Sequence, residues 1–400
     1  MSEFKASGFR DEFGNAGPDI VGLTTFTSPY YFVPPSGSTV ERPSSPPPGM
    51  LRFNTDIGRL EVWRNDHWAT ILGESPNLGN HNAAAGESAG GTGTRGVFGG
   101  NRNTPTVKSS PSSQYITIET LGDAIDFGDL TLTIAIQGSC SSRTRGIFFG
   151  GYCSPNPGTG SSRTNKITGW TFASTGSHVD FSSTISRTAQ QCAGTSSSTR
   201  GILQNGFSVS PSTQETNDII DYITIASVGN AVDFGNLTRA KSEIAAFSSG
   251  TRGIFAGGYI TPSPFRTDDI DYITISSTGN AQDFGNLTAA TRQANAGGNS
   301  TRGIIMGGVD PSVLDTIQFI TIASKGDSQD FGDLLNPTAS AAVGSISNPN
   351  RSICAGGITP AGTDVIQYIT NQTTGNAVDF GDLLGTRVQF AGASNGHGGL

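Results

Sequence analysis

Short apolar runs recur along the chain from residue 94 onward, each ended by glycines or a polar turn. The run Arg252–Gly258 (RGIFAGG) is typical of a strand buried on both faces, and Asp271–Ile275 (DYITI) alternates like a half-buried strand. Asn280–Phe284 is shorter and more polar, as in an outer strand, whereas Ser242–Phe247 is rich in small residues. The pattern predicts four strands in each unit of about 51 residues.

The same landmarks repeat six times. Arginine precedes the first apolar run at Arg95, Arg145, Arg200, Arg252, Arg302 and Arg351, at intervals of 50, 55, 52, 50 and 49 residues. Each arginine is followed by an aromatic β-type run and then by an Asp-Phe pair, at Asp126, Asp180, Asp233, Asp283, Asp330 and Asp379. Four strands repeated six times predict an all-β fold, a six-bladed β-propeller over residues 94–400.

Closure of this ring leaves two candidates for the strand that completes the first blade, Asn82–Gly90 and Arg387–Asn395. The second has the better strand-forming residues, so we expect the C-terminal segment to pair with the first unit. The repeated Arg and Asp have two interpretations: ion pairs within or between blades, which we favour, or a ligand-facing ring.

The glycine doublet after an apolar strand, the following Tyr run, the short outer strand and the period of about fifty residues resemble the kelch repeat. Two features depart from it. The outer-strand aromatic is Phe after Asp rather than Trp, and the second unit is reduced to Trp170-Thr-Phe172. The resemblance implies a fold and leaves the activity open.

Composition agrees with this class and restricts the partners. The 400 residues include 55 glycines and only 14% charged residues, which disfavours helical bundles. A net charge of −8 argues against nucleic acid, and the absence of a long apolar run argues against membrane insertion. The four cysteines have irregular spacings and fit buried thiols, with a disulfide as the alternative.

Residues 1–80 do not repeat. We assign residues 1–48 to an extended proline-rich arm, 49–75 to a small β-meander and 76–93 to a Gly/Ala-rich linker. The meander should contain turns at Thr55–Gly58 and Arg64–Asp66, and it is too small to bury a core alone. Aromatic side chains that we expect to anchor it to a neighbouring surface are Tyr30, Tyr31, Phe32, Phe53, Trp63 and Trp68.

The segment Pro48–Trp63 (PGMLRFNTDIGRLEVW) is similar to a module of tail-fibre and other virion surface proteins of tailed bacteriophages. The Asp-Tyr-Ile-Thr-Ile and Asp-Phe-Gly-Asn-Leu-Thr repeats resemble structural proteins of phages that infect cyanobacteria. This resemblance implies a virion component whose residues 1–75 bind other virion proteins. We expect a tail fibre or host-binding adhesin. The alternatives are a capsid or neck decoration or head-fibre protein and, more remotely, an enzyme acting on surface polysaccharide.

Neither catalytic nor metal-binding patterns stand out. His67, His81, His178 and His397 share no repeat position, and no HxH or HExxH spacing occurs, so we expect no catalysis, metal or cofactor. Recognition is expected in the variable loops after the glycine doublets, whose candidates for binding a host glycan or protein are Tyr152, Phe207, Tyr259, Phe265 and Arg266. The alternative is that Tyr152, Phe207 and Tyr259 pack over the blade below.

Overall fold

The computed structural model describes residues 34–64, 66–70, 95–102, 110–156, 160–210, 213–339, 346–358 and 362–400. The chain divides into two compact units, Met1–Gly73 and Glu74–Leu400. Apart from a short 3-10 turn at Thr39–Glu41, the regular structure of the described residues consists of β-strands. The prediction of an all-β chain is therefore confirmed.

The first unit contains a four-stranded sheet. Its strands, in spatial order, are Ser36–Gly37, Leu51–Asn54, Arg59–Trp63 and Trp68–Thr70. The first pair is parallel and the other two pairs are antiparallel. The last three strands coincide with the strands expected from the turns at Thr55–Gly58 and near Arg64–Asp66.

One face of this sheet is ionic. The carboxylate of Glu61 is fully buried and accepts hydrogen bonds from Arg42 at 2.5 Å and from Arg52 at 3.0 Å. Because side chains alternate along a strand, Leu51 and Phe53 lie on the opposite face, and Leu51 is 37% exposed. The small sheet thus buries charge and leaves aliphatic surface open.

The described part of the second unit contains six antiparallel sheets, which follow one another in chain order. Numbered along the chain, their strands are Arg95–Gly99, Ser112–Thr117 and Ile125–Asp129 (sheet 1); Gly138–Ser141, Arg145–Phe149, Gly160–Thr171 and Val179–Gln190 (sheet 2); Ala193–Ser196, Arg200–Gln204, Ile219–Thr224 and Val232–Asn236 (sheet 3); Ala245–Ser248, Arg252–Ala256, Thr267–Thr274 and Gln282–Thr291 (sheet 4); Asn295–Gly298, Arg302–Met306, Thr316–Thr321 and Gln329–Asp333 (sheet 5); Arg351–Ala355, Thr363–Thr370 and Val378–Arg387 (sheet 6). These positions match the four kinds of strand expected from the repeat.

Sheet 2 departs from the regular pattern. Its third and fourth strands are each 12 residues long. The extra length pairs with short added strands, namely Ile134–Ala135 joined to Tyr152–Asn156, and Phe207–Ser210 with Thr213–Thr216. The unit whose landmarks are most eroded in sequence is therefore the most elaborated sheet.

The C-terminal strand completes sheet 1. Ala391–Ser394 pairs antiparallel with Arg95–Gly99, about 300 residues earlier in the chain, as the better of the two candidate strands predicted. The other candidate, Asn82–Gly90, lies outside the described residues. Pairing of the two ends covers strand edges that would otherwise be open.

A chain of serine hydroxyls joins neighbouring sheets at their first strands. Ser248 donates to the carbonyl of Ser196, Ser196 to that of Ser141, and Ser141 to that of Ser394, at 2.8, 2.8 and 2.7 Å. Ser394 in turn donates to the carbonyl of Ser347, at 2.6 Å. The chain therefore runs from sheet 4 through sheets 3, 2 and 1 to the start of sheet 6.

The repeated arginines join each sheet to the next. In every case Nη1 donates to a main-chain carbonyl of the following sheet; the pairs are Arg95–Phe172, Arg145–Ile225, Arg200–Ile275, Arg252–Ile322, Arg302–Asn371 and Arg351–Ile118. The last pair links sheet 6 to sheet 1. The guanidinium also lies over an aromatic ring of its own sheet, as in Arg252 over Tyr272 at 5.0 Å.

The expectation that these arginines pair with the repeated aspartates is wrong. In the described part of the chain, Asp126, Asp233, Asp283, Asp330 and Asp379 are exposed, and Asp180 pairs with Lys166 at 2.6 Å. The arginines bind carbonyl oxygens because a turn of the next sheet places its main-chain carbonyl groups directly beside the guanidinium. Their role is nevertheless structural, as the favoured interpretation held.

Glycine allows the outer strands to meet the next sheet. Gly285 has a φ of +149°, and a Cβ there would lie 2.5 Å from the carbonyl oxygen of Gly326. This close approach permits main-chain hydrogen bonds from Gly326 to Phe284 and from Ser328 to Asn286, at 3.0 and 2.8 Å. A larger side chain would separate the two sheets.

Candidate functional site

Strands are counted first to fourth as in a complete sheet, so Arg95–Gly99 and Arg351–Ala355 are the second strands of sheets 1 and 6. The variable connections that follow the second strands lie at one end of the sheets, which we call the loop end. Because the strands alternate in direction, the connections from each fourth strand to the next sheet emerge at this same end. The bridge between Ser242 and Tyr259 shows the two kinds of connection in contact. The loop end is therefore the place where the recognition candidates meet.

Five equivalent residues at the loop end, one before each described first strand, adopt the left-handed backbone conformation. They are Ile136, Gln191, Glu243, Gln293 and Gln389, with φ between 53° and 59°. Main-chain hydrogen bonds of 2.9 to 3.0 Å join Ile136 to Gln389, Gln191 to Ile136 and Gln293 to Glu243. Glycine would adopt this conformation at lower cost, yet none of these five residues is glycine.

Tyr259 and Phe265 form an aromatic pair in the loop of sheet 4. Their ring centroids are 6.0 Å apart and the rings are nearly parallel, at 13°. Phe265 is 49% exposed and has a φ of +64°, unusual for a bulky residue. The guanidinium of Arg292 lies 5.3 Å from the Tyr259 ring, which supports the pair from the protein side.

Arg292 connects the aromatic pair to polar side chains of neighbouring sheets. Its Nη1 donates to Oε2 of Glu243 at 2.9 Å, and Oε1 of Glu243 accepts from Gln191 at 2.5 Å. Glu243 is 5% exposed, so its carboxylate is held in one position by these two donors. The arrangement is a continuous strip of amide, carboxylate, guanidinium and two aromatic rings.

Arg266 extends this strip toward sheet 5. Its Nε lies 2.7 Å from Oδ1 of Asp310, in the corresponding loop of that sheet. Both side chains are partly buried, so the ion pair restricts the loop that carries Phe265. Of the five recognition candidates, the structure brings together Tyr259, Phe265 and Arg266.

The other two recognition candidates pack elsewhere. Tyr152 is partly buried and packs against Ala135 and Ile136. Phe207 is also partly buried, under the guanidinium of Arg163 at 5.2 Å. Both agree with the packing alternative, whereas Phe265 has the exposure that a binding residue needs.

Sequence reasoning missed Gln191, Glu243, Arg292 and Asp310. For Gln191 and Glu243 a signal was present, because Gln293 and Gln389 occupy the same place before their first strands. Arg292 and Asp310 carry no such signal, since their role depends on contacts between different sheets.

The anchoring candidates divide in a similar way. Tyr30, Tyr31 and Phe32 lie outside the described residues. Trp63 and Trp68 contact each other with centroids 5.6 Å apart, and Arg52 lies over Trp68. Phe53 is on the opposite face of the sheet, so one neighbouring surface does not contact all three aromatic side chains.

The last residues of the chain lie across the first strands at the end opposite the loops. His397 is buried, with Nε2 3.1 Å from Oγ of Ser196 and 3.2 Å from the carbonyl of Ser141, and Nδ1 accepts from the amide of Gly399 at 3.1 Å. Burial lowers the pKa of His397 to about 4, so the ring is neutral near pH 7.

The remaining titratable groups have structural surroundings. All four cysteines are free and buried, and burial raises the pKa of Cys192 and of Cys354 to about 12. Lys241 and Asp271 form a buried ion pair at 3.1 Å between sheets 3 and 4.

No group of three or more His, Cys, Asp or Glu in the described ranges could hold a metal ion. Among the same residues, no helix is long and apolar enough to span a membrane.

No protein-family model and no curated protein sequence matches the chain. Among solved structures, the chain is similar to one titled "Structure of YjhT", with a TM-score of 0.53 and 12% identity, over 67% of this chain and 91% of that one. At this identity the similarity concerns the fold alone and agrees with the all-β architecture.

Proposed function

We propose that the chain is a non-catalytic virion surface protein of a tailed phage, in which a six-bladed kelch-like β-propeller attaches to the host. Residues 94–400 make up the propeller, and residues 1–75 bind other virion proteins. The function requires no cofactor, nucleic acid or membrane insertion. The place of action is the virion, assembled in the host cytoplasm.

The propeller assignment is supported by the arginine contacts. Six equivalent side chains each bind the next sheet, and Arg351 of sheet 6 binds the carbonyl of Ile118 in sheet 1 at 2.9 Å. A repeat that returns to its starting sheet is the arrangement expected of blades around one axis. The pairing of Ala391–Ser394 with Arg95–Gly99 also supports this arrangement, because it joins the end of the repeat to its beginning.

The single observation that carries the virion role is the open apolar face of the N-terminal sheet. Leu51 is 37% exposed on this face and Ile57, in the turn that joins two of the strands, is 45% exposed, although a sheet of this size gains little stability from any other apolar burial. Such a face favours a partner that covers it. The same residues form the segment that resembles virion modules.

A recognition role is supported by the partners of the carboxylates at the loop end. Glu243 and Asp310 each form an ion pair with an arginine of a neighbouring connection. Paired carboxylates of this kind hold loops and present hydrogen-bond acceptors. Their arrangement fits recognition better than hydrolysis.

The proposal is tested by locating the protein on purified phage particles. An antibody raised against residues 94–400 should label the tail tip or fibres in electron micrographs and should slow adsorption to host cells. Labelling of the capsid or neck without an effect on adsorption would instead identify a decoration or head-fibre protein. Absence of the protein from particles would refute the virion role altogether.

A further inference from the structure

Phe265 occupies its position at a cost that packing alone does not explain. A phenylalanine at a φ of +64° is disfavoured, and a ring that is 49% exposed recovers little by burial. Glycine would relieve the backbone, and a polar residue would suit the exposure. Its exposure and its backbone cost make Phe265 the candidate for a contact with a ligand.

The ring of Phe265 is preorganised by the side chains behind it. Tyr259 lies nearly parallel to it at 6.0 Å, and Arg292 lies over Tyr259 at 5.3 Å. The backing by Tyr259 restricts the Phe265 side chain, so less conformational entropy is lost when a ligand binds. The electron-rich face of an aromatic ring attracts weakly positive C–H groups, such as those on one side of a pyranose.

Hydrogen-bonding groups stand beside this surface. The side chain of Arg292 is 32% exposed, and its guanidinium has five donors, of which one bonds to the buried Glu243. Donors held in a fixed plane match the paired hydroxyls of a sugar. An apolar platform next to a few placed polar groups is the usual composition of a small-molecule site.

The net charge of the strip favours neutral over acidic sugars. The two arginines of the strip are both neutralised, Arg292 by Glu243 at 2.9 Å and Arg266 by Asp310 at 2.7 Å. The strip has no surplus positive charge to attract a sulfate, phosphate or uronate, so an uncharged ligand is favoured.

We propose that the strip formed by Gln191, Glu243, Arg292, Tyr259 and Phe265 binds an uncharged oligosaccharide, with one pyranose stacked on Phe265 and its neighbour hydrogen-bonded by Arg292, which the buried Glu243 holds in position. The inference rests on the proposed function because it names what the displayed propeller attaches to. The equivalent loops of sheets 5 and 6 have Val309 and Ile358 in place of Tyr259, whereas Tyr152 of sheet 2 and Phe207 of sheet 3 pack elsewhere, so among the described residues we assign this platform to sheet 4.

The purified full-length chain is tested on an array of immobilised neutral and acidic oligosaccharides. We expect binding to neutral glycans that changes less than twofold between 50 and 500 mM NaCl, since no net charge is neutralised. Phe265→Ala should weaken binding by roughly tenfold or more, whereas Phe265→Tyr should retain most of it. Leu121→Ala, at an exposed leucine in sheet 1, is the matched control and should bind as the unmodified chain.

Three results would overturn the inference: binding confined to acidic glycans and lost in salt, no binding to any glycan, or equal binding by the Phe265→Ala and Leu121→Ala variants. Thermal unfolding of each variant shows whether it is folded. This experiment and particle labelling fail separately. A chain that labels virions but binds no neutral glycan contradicts only this inference, and one that binds glycan but is absent from particles contradicts only the virion role.

Discussion

The N-terminal sheet and the six-sheet unit differ in the side chains that form most of their buried interior. The N-terminal sheet buries the carboxylate of Glu61 between Arg42 and Arg52 and leaves Leu51 exposed. The six-sheet unit buries aliphatic and aromatic side chains between sheets, such as Phe247, Ile254 and Phe284, and uses arginine to satisfy main-chain carbonyls. Repetition explains the difference, because each sheet of the larger unit has a neighbour to cover it.

The largest effect is expected from removing the C-terminal strand. Deletion of residues 386–400 removes one of the two strands that pair with Arg95–Gly99, and it removes His397. We expect the six-sheet unit to lose its cooperative thermal transition, measured by circular dichroism and calorimetry. Deletion of residues 1–73, a separate compact unit, is the control and should leave that transition in place. An unchanged transition after the C-terminal deletion would contradict closure by this strand.

A smaller but local effect is expected in the N-terminal sheet. Glu61→Ala leaves the guanidinium of Arg52 buried without its carboxylate, at a cost of about 3–5 kcal/mol. The sheet should then unfold while the larger unit keeps its transition. The fluorescence of Trp63 and Trp68 reports this as a red shift; Glu41→Ala, at an exposed carboxylate, should not produce it. If both units melted together after Glu61→Ala, the N-terminal sheet would not unfold independently of the larger unit.

Acid should affect the two units over different pH ranges. Burial lowers the pKa of His178 and of His397 from 6.5 to about 4, so the unfolded chain binds protons first as pH falls. Stability of the six-sheet unit should therefore decrease between about pH 6.5 and 4, by at most about 3 kcal/mol for each histidine. Arg42 lowers the pKa of Glu61 below 4.5, so its contribution is lost only at lower pH.

The measurement is urea unfolding of the two units at several pH values. A His178→Gln, His397→Gln double variant should show a flatter decrease above pH 4 in the six-sheet unit and no change in the N-terminal sheet. A decrease of the same slope in the double variant would assign the acid sensitivity to other groups.

The smallest effect is expected from one arginine contact. Arg252→Ala removes hydrogen bonds to the carbonyls of Ile322 and Ala323 and the contact with Tyr272, which together stabilise by about 1–3 kcal/mol. Denaturant unfolding should show this loss, and glycan binding should persist. Arg187→Ala, at an exposed arginine, should change stability by less than about 0.5 kcal/mol. Lost binding with intact stability would favour a ligand-facing role for the repeated arginines.

The strands were predictable because each depends on a local pattern. Arg252–Ala256 and Thr267–Thr274 follow from apolar runs and β-branched alternation, and repetition strengthened each assignment six times. Phe265 was recognisable as an exposed aromatic in a polar loop. Tyr259, in the same loop, was also a candidate. Arg292 was not, because it lies in a different connection and meets Tyr259 and Glu243 only through inter-sheet contacts.

What the sequence alone determined is the all-β class, the six repeats, the strand positions and the choice of Arg387–Asn395 over Asn82–Gly90 as the closing strand. These depend on residue periodicity and strand propensity, which are properties of short segments. Tertiary structure alone decided that the repeated arginines bind carbonyls rather than aspartates, and that Phe53 faces away from Trp63 and Trp68. Partner choice among polar groups depends on which atoms the packing brings within about 3 Å, and distance in space is not written in the spacing of residues.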